Sequence, residues 1–275
     1  EKIPAPSRFR VELRGGTTLM GDRLLLATGS NPKGYAIAQQ LGHELQSPVP
    51  SLFTFQIPDT QLHDRAGISV NWVQAQLHCP GHPVLKQEGP ILITHWGLSG
   101  PVILKLSAWG ARMLHDSRYQ ASLRVNWVPQ HSVDTTRSML MAFKQDHLKR
   151  AIATGNPFQF PRRLWEYFLH KSEMSSDTQG GDRWANLSKK ELNRLVHTLT
   201  QCEFEIHGKG TFKDEFVTCG GVSLKSVNFK TMESRTCPGL YFAGEILDID
   251  GVTGGFNFQS AWTTGWIAGQ SMGQF

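Results

Sequence analysis

Residues 239–275 read "GLYFAGEILDIDGVTGGFNFQSAWTTGWIAGQSMGQF". Leu240 to Ala243 form an unbroken apolar run that stops at Gly244. That is the pattern of a strand covered on both faces, whose carboxyl end opens at a crevice. Glu245 follows the glycine. In a crevice its carboxylate can accept hydrogen bonds from sugar or ribityl hydroxyls; a solvent-facing loop acid is the plainer alternative. Asp248 and Asp250 come next. They either steady the loop through turn-type hydrogen bonds or assist proton transfer, and the structural role fits better. Thr253, Gly254 and Gly255 then open a helix expected to run to about Met272.

The small residues Asn257, Ala261, Gly265 and Gly269 recur every four positions, which places them on one helix face and allows close approach of a backbone or a flat ligand. Packing alone explains that stripe, but not two glycines directly before it. The unpaired amides and positive dipole end of a helix favour electron-rich groups. An isoalloxazine ring becomes negative around N1 and its C2 carbonyl when reduced, and a helix start aimed there stabilises that form. Glycines let the backbone come near.

A second strand of the same kind lies early in the chain. "DRLLLATGS" carries Leu24 to Ala27 as a continuous apolar run, and "GYAIAQQLGHEL" after it reads as a helix ended by Gly42. Before it, the alternation of Phe9, Val11 and Leu13 with charged residues, then "RGG" and "TTLM", predicts a hairpin. From Pro48 the character changes. "GISVNWVQAQLHCPGHPVLKQEGPILITHWG" reads as a small antiparallel sheet or barrel, and Pro101 stands just inside a helix start. Helices are predicted in "TRSMLMAFKQDHLKRAI", "RRLWEYFLHKSE" and "SKKELNRLVHTLTQ", with the polar loop "SSDTQGGDR" before the last and a Ser188/Glu191 capping box opening it. Parallel-sheet character at both ends with a different middle implies one α/β domain interrupted by an insertion. The expected boundaries are 1–52 and 213–275 for the interrupted domain, 53–130 for the barrel and 131–212 for the helical part.

Composition bounds the partners. The 275 residues carry 28 Lys and Arg against 23 Asp and Glu, a scattered excess of +5. The densest basic stretch, 148–165, reads as a solvated helix and loop, so nucleic acid is not expected as a partner. No apolar run approaches a membrane span. Cys79, Cys202, Cys219 and Cys237 are far apart and form no C-x-x-C pair, which fits a reducing cytoplasm. "HCPGH", His78 to His82, contains Pro80 and Gly81 and reads as a turn; no metal site is expected.

Three long ordered segments carry a family resemblance: residues 24–52, "LLLATGSNPKGYAIAQQLGHELQSPVPSL"; 91–108, "ILITHWGLSGPVILKLSA"; and 215–269, from "EFVTCGGVSLKS" to "TTGWIAG". They resemble the BaiN-type, or YhiN-type, family of FAD-dependent oxidoreductases, which includes aminoacetone oxidase relatives. The resemblance implies a Rossmann-like FAD-binding α/β domain interrupted by an antiparallel β-barrel and a helical subdomain. It implies that Thr28, Gly29, Gly244, Glu245, Gly254, Gly255, Phe256, Asn257 and Gln259 line the flavin. Glu245 would meet the ribityl chain, and the Gly255 and Phe256 amides the N1 and C2-carbonyl side. His95, in "THWGLSGP", would donate a proton to substrate or, equally, hold its turn. Trp96 would stack on the ring or serve the core. The implied reaction passes hydride through flavin N5 to or from a small organic molecule, with NAD(P)H as a transient donor.

The sequence also departs from the family. The strand–GxGxxG–helix unit that holds the FAD pyrophosphate is not among these residues, "GSNPKGY" replaces a longer glycine-rich loop, and Phe256 stands where Tyr is common. The chain is therefore expected to be the larger carboxyl-terminal portion of such a protein, needing an amino-terminal segment or chain with GxGxxG as partner. The alternatives are a non-catalytic fragment or binding module that waits for that partner and, third, an RNA-binding module.

Overall fold

The computed structural model describes residues 9–174, 183–210 and 217–273; the polar stretch 175–182 and the proposed boundary near 212 lie outside them. The chain divides into two compact units, one formed by residues 1–52 with 215–275 and the other by 53–214.

In chain order, the first unit opens with β1 (Phe9–Glu12), β2 (Thr18–Gly21), β3 (Leu24–Leu26), α1 (Pro32–Gln40) and β4 (Leu45–Ser51). The second unit holds β5 (Phe55–Gln56), α2 (Thr60–His63), β6 (Ser69–His78), β7 (Leu85–Thr94), β8 (Gly97–Ser99), α3 (Pro101–Trp109), α4 (Ala111–Asp116), β9 (Ala121–Asn126), α5 (Val133–Asp146), α6 (Arg162–Lys171), α7 (Lys189–Thr200), β10 (Cys202–Ile206) and β11 (Gly208–Lys209). The first unit resumes with β12 (Val217–Val222), β13 (Val227–Asn228), β14 (Glu233–Ser234), β15 (Leu240–Phe242) and α8 (Phe256–Gly273).

In the first unit the two apolar runs meet. β3 and β15 pair in parallel, with Leu24 opposite Leu240 and Leu26 opposite Phe242. β14 and β13 extend the sheet on the far side of β15, and β3 stands at its other end. β1 and β2 form the expected hairpin, and β12 pairs with β4 with a bulge between Cys219 and Gly221. Leu26, Tyr35, Ala38, Val222, Leu240, Phe242, Ile246 and Ala268 share one core. Helix α1 begins where Asn31 caps the Lys33 N–H at 2.9 Å and Pro32 takes the first turn; Gly42, at φ +89°, follows its end.

Helix α8 packs only the first half of its small-residue stripe, Asn257 and Ala261, against the loop from Gly244 to Gly251. Thr264 and Ala268 are its buried residues, whereas Gly265 and Gly269, of the every-fourth stripe, have nothing within 4 Å of a built Cβ. A spacing of four advances about 40° round an α-helix, so a stripe repeated three times winds off the packed face.

The second unit contains a seven-stranded antiparallel sheet in the order β10-β9-β6-β7-β8-β5-β11. Among the described residues that order is open: β11 has two residues and pairs with β5, so a closed barrel is not drawn. The fully buried Trp127, Trp165 and Trp184 belong to the same core as the strand residues Val73, Ile91 and Leu123, so strands and helices here share one interior. Ser188 and Glu191 form the capping box of α7, with reciprocal bonds of 3.2 and 2.8 Å. At the base of the helices, Asp59 accepts the Tyr167 hydroxyl at 2.7 Å. Burial would raise this carboxyl, but the Leu62 N–H, Tyr167 and Lys171 outweigh it and hold it below its ordinary range.

Candidate functional site

β15 delivers the chain to Gly244, whose φ of +75° starts one 3-10 turn, Gly244–Ile246. The Gly244 N–H donates to Thr264 Oγ1 at 2.9 Å, and that hydroxyl donates to Ser260 O at 2.7 Å, so α8 holds the turn. Glu245 therefore has a fixed backbone. Its Oε1 accepts the Thr218 N–H at 2.9 Å, and its Oε2 lies 3.7 Å from where a Cβ on Gly29 would stand. Gly29 is at φ +60°, in the loop between β3 and α1. Two glycine-bounded strand ends thus bracket one carboxylate, with one oxygen committed to backbone and the other turned toward the Gly29 loop.

Behind this loop, the sequence reading missed Gly34 and Tyr35. A Cβ on Gly34 would stand 1.9 Å from Thr28 Oγ1, so only glycine lets α1 approach Thr28 this closely. The signal was visible as a glycine in the first turn of a helix, where it is otherwise a poor choice. Tyr35 is buried, and its hydroxyl has no hydrogen-bond partner among the described residues. Burial, and then the charges of Glu245 and Asp248, push its phenol up from the ordinary value. Tyr35→Phe is accordingly expected to stabilise the chain by about 1 kcal/mol, because it removes an unsatisfied buried group, and to raise Tm by roughly 2–4 °C in a thermal melt. A lowered Tm would show that the hydroxyl is used.

The acidic loop beyond Glu245 is braced. Asp250 Oδ2 accepts the Ser51 hydroxyl at 3.1 Å. Asn257 makes a two-way clasp with Gly251, its Oδ1 accepting the Gly251 N–H at 2.7 Å and its Nδ2 donating to the Gly251 carbonyl at 2.9 Å. Gly254 and Gly255 follow at φ +118° and +86°, both exposed; nothing lies within 4 Å of a Cβ built on Gly255. The first α8 bond runs from the Gln259 N–H to Gly255 O at 2.9 Å, so the amides of Phe256, Asn257 and Phe258 precede the helical ladder. Gln259 donates to Thr263 Oγ1 at 3.0 Å, and Phe256 is exposed.

His95 belongs to the other unit. It is exposed in the two-residue turn between β7 and β8, where Thr94 faces Gly97. The glycines of that motif answer to packing: a Cβ on Gly97 would stand 2.1 Å from Phe55 O, and one on Gly100 2.9 Å from Leu92 N. The Trp96 carbonyl accepts the Ile57 N–H at 3.0 Å. Among the described residues no cluster of three or more His, Cys, Asp or Glu side chains is placed to hold a metal ion. None of the four cysteines forms a disulfide; burial pushes the Cys79 thiol up and the Cys202 thiol up to about 12, so neither of these two is a ready nucleophile. No described helix is long and apolar enough to cross a membrane.

Comparison with known proteins adds a family. Residues 49–217 match the HI0933-like protein barrel and H2TH domain. Over 99% of its length the chain is 32% identical to the ribosomal RNA dihydrouridine synthase of Haemophilus influenzae, covering 66% of that protein. It is 30% identical to the 3-dehydro-bile acid delta(4,6)-reductase of Clostridium scindens, over 93% of the chain and 63% of the relative. The corresponding values for the ribosomal RNA dihydrouridine synthase of Escherichia coli are 27%, 96% and 64%. The chain thus spans just under two thirds of each of these relatives.

Proposed function

The chain belongs to the HI0933-like family of flavoproteins, and on that premise we propose that it is the carboxyl-terminal portion of an FAD-dependent reductase acting on a conjugated carbon–carbon double bond. The observation that carries this reading is Glu245, set after a buried parallel strand, tied by one oxygen to the Thr218 amide and turned toward Gly29 by the other. A carboxylate so placed suits the hydroxyls of a ribityl chain or sugar. The open Gly255 ahead of α8 suits the electron-rich edge of a ring, with the Phe256 ring standing 3.3 Å from where a Cβ on Gly254 would lie. Thr28, Gly29, Gly244, Glu245, Gly254, Gly255, Phe256, Asn257 and Gln259 are the residues proposed to line the cofactor in a Rossmann-like domain.

When bound, FAD supplies a two-electron hydride carrier, recharged in this reading by NAD(P)H. The chain's own residues bind and orient it: Glu245 accepts hydroxyl hydrogens, the amides at the start of α8 offset negative charge, and Asn257 holds the acidic loop in place. His95 is proposed as the proton donor to the reduced substrate, a role that an imidazole side chain can serve. A strand–GxGxxG–helix segment is proposed as the partner that completes the pyrophosphate site, and four cysteines without a disulfide favour a reducing, cytoplasmic setting.

The substrate class comes from the relatives' names. A delta(4,6)-reductase and a dihydrouridine synthase share the addition of two hydrogens across a carbon–carbon double bond of an unsaturated ring. A small enone is the first reading. The uracil ring of RNA is the second, favoured by two of the three names, and it predicts steep salt dependence of substrate binding. The test is an FAD titration of the chain, alone and with a GxGxxG-bearing partner, followed by NAD(P)H oxidation with a steroid enone or with uridine-containing RNA. Bound oxidised flavin that bleaches with NAD(P)H and recovers with one of these acceptors is the expected result. No flavin uptake in either arm would end the proposal.

A further inference from the structure

We propose that His43 is a proton-sensitive brace: its neutral imidazole ties the link between α1 and β4 to the β13–β14 hairpin, and a proton on the ring releases it. Every group involved lies in the first unit, and no flavin is needed.

The ring is buried just past the end of α1, where the His43 N–H donates to Ala38 O at 3.0 Å. Its nitrogens meet hydroxyls that stand 183 and 191 residues away in the chain. Nδ1 lies 3.0 Å from Ser226 Oγ, and Nε2 lies 3.0 Å from Ser234 Oγ and 3.2 Å from Thr236 Oγ1. The Phe242 ring of β15 meets the imidazole edge-on at 4.7 Å.

The partners dictate where the hydrogens sit. Ser226 donates its own hydrogen to Ser223 O at 2.8 Å, so toward the ring it accepts, and Nδ1 carries a hydrogen. Ser234 Oγ accepts two amides, from Thr236 at 3.0 Å and Cys237 at 2.7 Å. A serine oxygen has two lone pairs. Both are taken, so Ser234 donates and Nε2 accepts. His43 is therefore neutral, with its hydrogen on Nδ1.

A proton on Nε2 undoes this arrangement. The new N–H faces an oxygen with no lone pair left. Either an amide of the 236–237 link lets go of Ser234, or the ring turns to Thr236 and the Ser234 bond is lost. The charge also has no counter-ion in contact. Glu44 and Lys225 are exposed, Glu233 accepts the Gly239 N–H, and Arg235 donates to Val227 O. Tyr241 is on the opposite face of β15 from Phe242, and the Cys237 thiol carries no positive or negative partner for the ring. Burial accordingly lowers the His43 pKa from its ordinary 6.5. The stability that the neutral ring contributes is complete above that unfolded value. It is lost as pH falls from there through the lowered folded value, about tenfold in the closed-to-open equilibrium per pH unit. β14 pairs with β15, the strand that presents Gly244 and Glu245, so the loosening reaches the edge of the candidate site.

The test is a pH series on this chain. Long-range nitrogen–proton spectra, with His43 assigned through its contact with the Phe242 ring, should show hydrogen on Nδ1 and a titration below that of a blocked histidine peptide. Hydrogen exchange, corrected for intrinsic rates, should show protection of the Thr236 and Cys237 amides falling roughly fivefold or more between about pH 7.5 and about pH 5.5. The Ala75 and Leu77 amides, in the sheet of the second unit, should hold. His43→Gln keeps an oxygen for Ser234 and does not titrate, so the fall should shrink to less than about twofold. Where that variant does not fold, the tautomer, titration and protection of the parent decide. Hydrogen on Nε2, a titration at or above the peptide's, protection that persists or falls alike in both units, or a Gln variant as pH-sensitive as the parent would each overturn the brace.

Discussion

Gly97→Ala should lower Tm by roughly 6–20 °C. The added Cβ would stand 2.1 Å from Phe55 O and 2.8 Å from Ile57 N, both backbone atoms, so no side chain can swing aside. The residue also sits at φ +153°, which penalises any side chain. Relief requires β8 to move away from β5, where Gly97 pairs with Gln56. Phe55 and Ile57 on that segment are buried in the core, so the shift propagates inward. A cost of about 3–5 kcal/mol is at the upper end for one substitution, and each kcal/mol lowers Tm by roughly 2–4 °C for a chain of this size. Gly265→Ala is the control. Its Cβ meets nothing within 4 Å and it lies inside α8, so alanine should raise stability by up to about 1 kcal/mol. A Gly97→Ala melt within 2 °C of the parent, by circular dichroism, would refute the close approach.

Glu245 is the second position of large effect, and two variants separate its contact with the Thr218 amide from its proposed role toward flavin. Glu245→Ala strips the Thr218 N–H of its acceptor. Leaving that half-buried amide unpaired costs about 1 kcal/mol, and in the proposed flavin site a ribityl hydroxyl would lose its acceptor as well. Glu245→Gln keeps a side-chain oxygen for Thr218 and surrenders only the charge. Hydrogen bonds to a charged group are worth about 1.5–3 kcal/mol, so Gln should retain the melting temperature and weaken flavin binding roughly 10- to 100-fold. Fluorescence titration with FAD beside a thermal melt reads both. Equal flavin affinity in Gln and parent would mean that the carboxylate serves the backbone alone.

Local chemistry made several elements readable. Leu240–Phe242 was recognisable as a buried strand because a run apolar on every residue has no face to give to water, whereas Leu24–Leu26, read the same way, stands at the end of its sheet with Leu24 and Leu25 only half-buried. Pro101 and the Ser188–Glu191 box announced helix starts because those residues satisfy or omit the amides that a helix start leaves unpaired. Gly254 and Gly255 were legible as a glycine pair before a helix; Gly255 stands open, whereas a Cβ on Gly254 would meet the Phe256 ring at 3.3 Å. The small-residue stripe of α8 was legible only in part: Asn257 and Ala261 lie against the Gly244–Gly251 loop, while Gly265 and Gly269 meet nothing, because spacing alone does not say where along a helix a partner lies. Gly34, Tyr35 and the Thr218 amide went unseen because their roles exist only once strands distant in sequence are side by side.

The division is a physical one. Covalent neighbours set propensity, capping and the hydrophobic period, and from these the order of strands and helices, the interruption of an α/β pattern and the glycines flanking Glu245 follow directly. Contacts across more than a hundred residues are chosen by packing and by the need to satisfy each buried amide. Only the tertiary structure therefore decided that Glu245 bonds to Thr218 and turns toward Gly29, that the seven-stranded sheet runs open among its described strands, and that Phe258, Trp262 and Trp266 face outward.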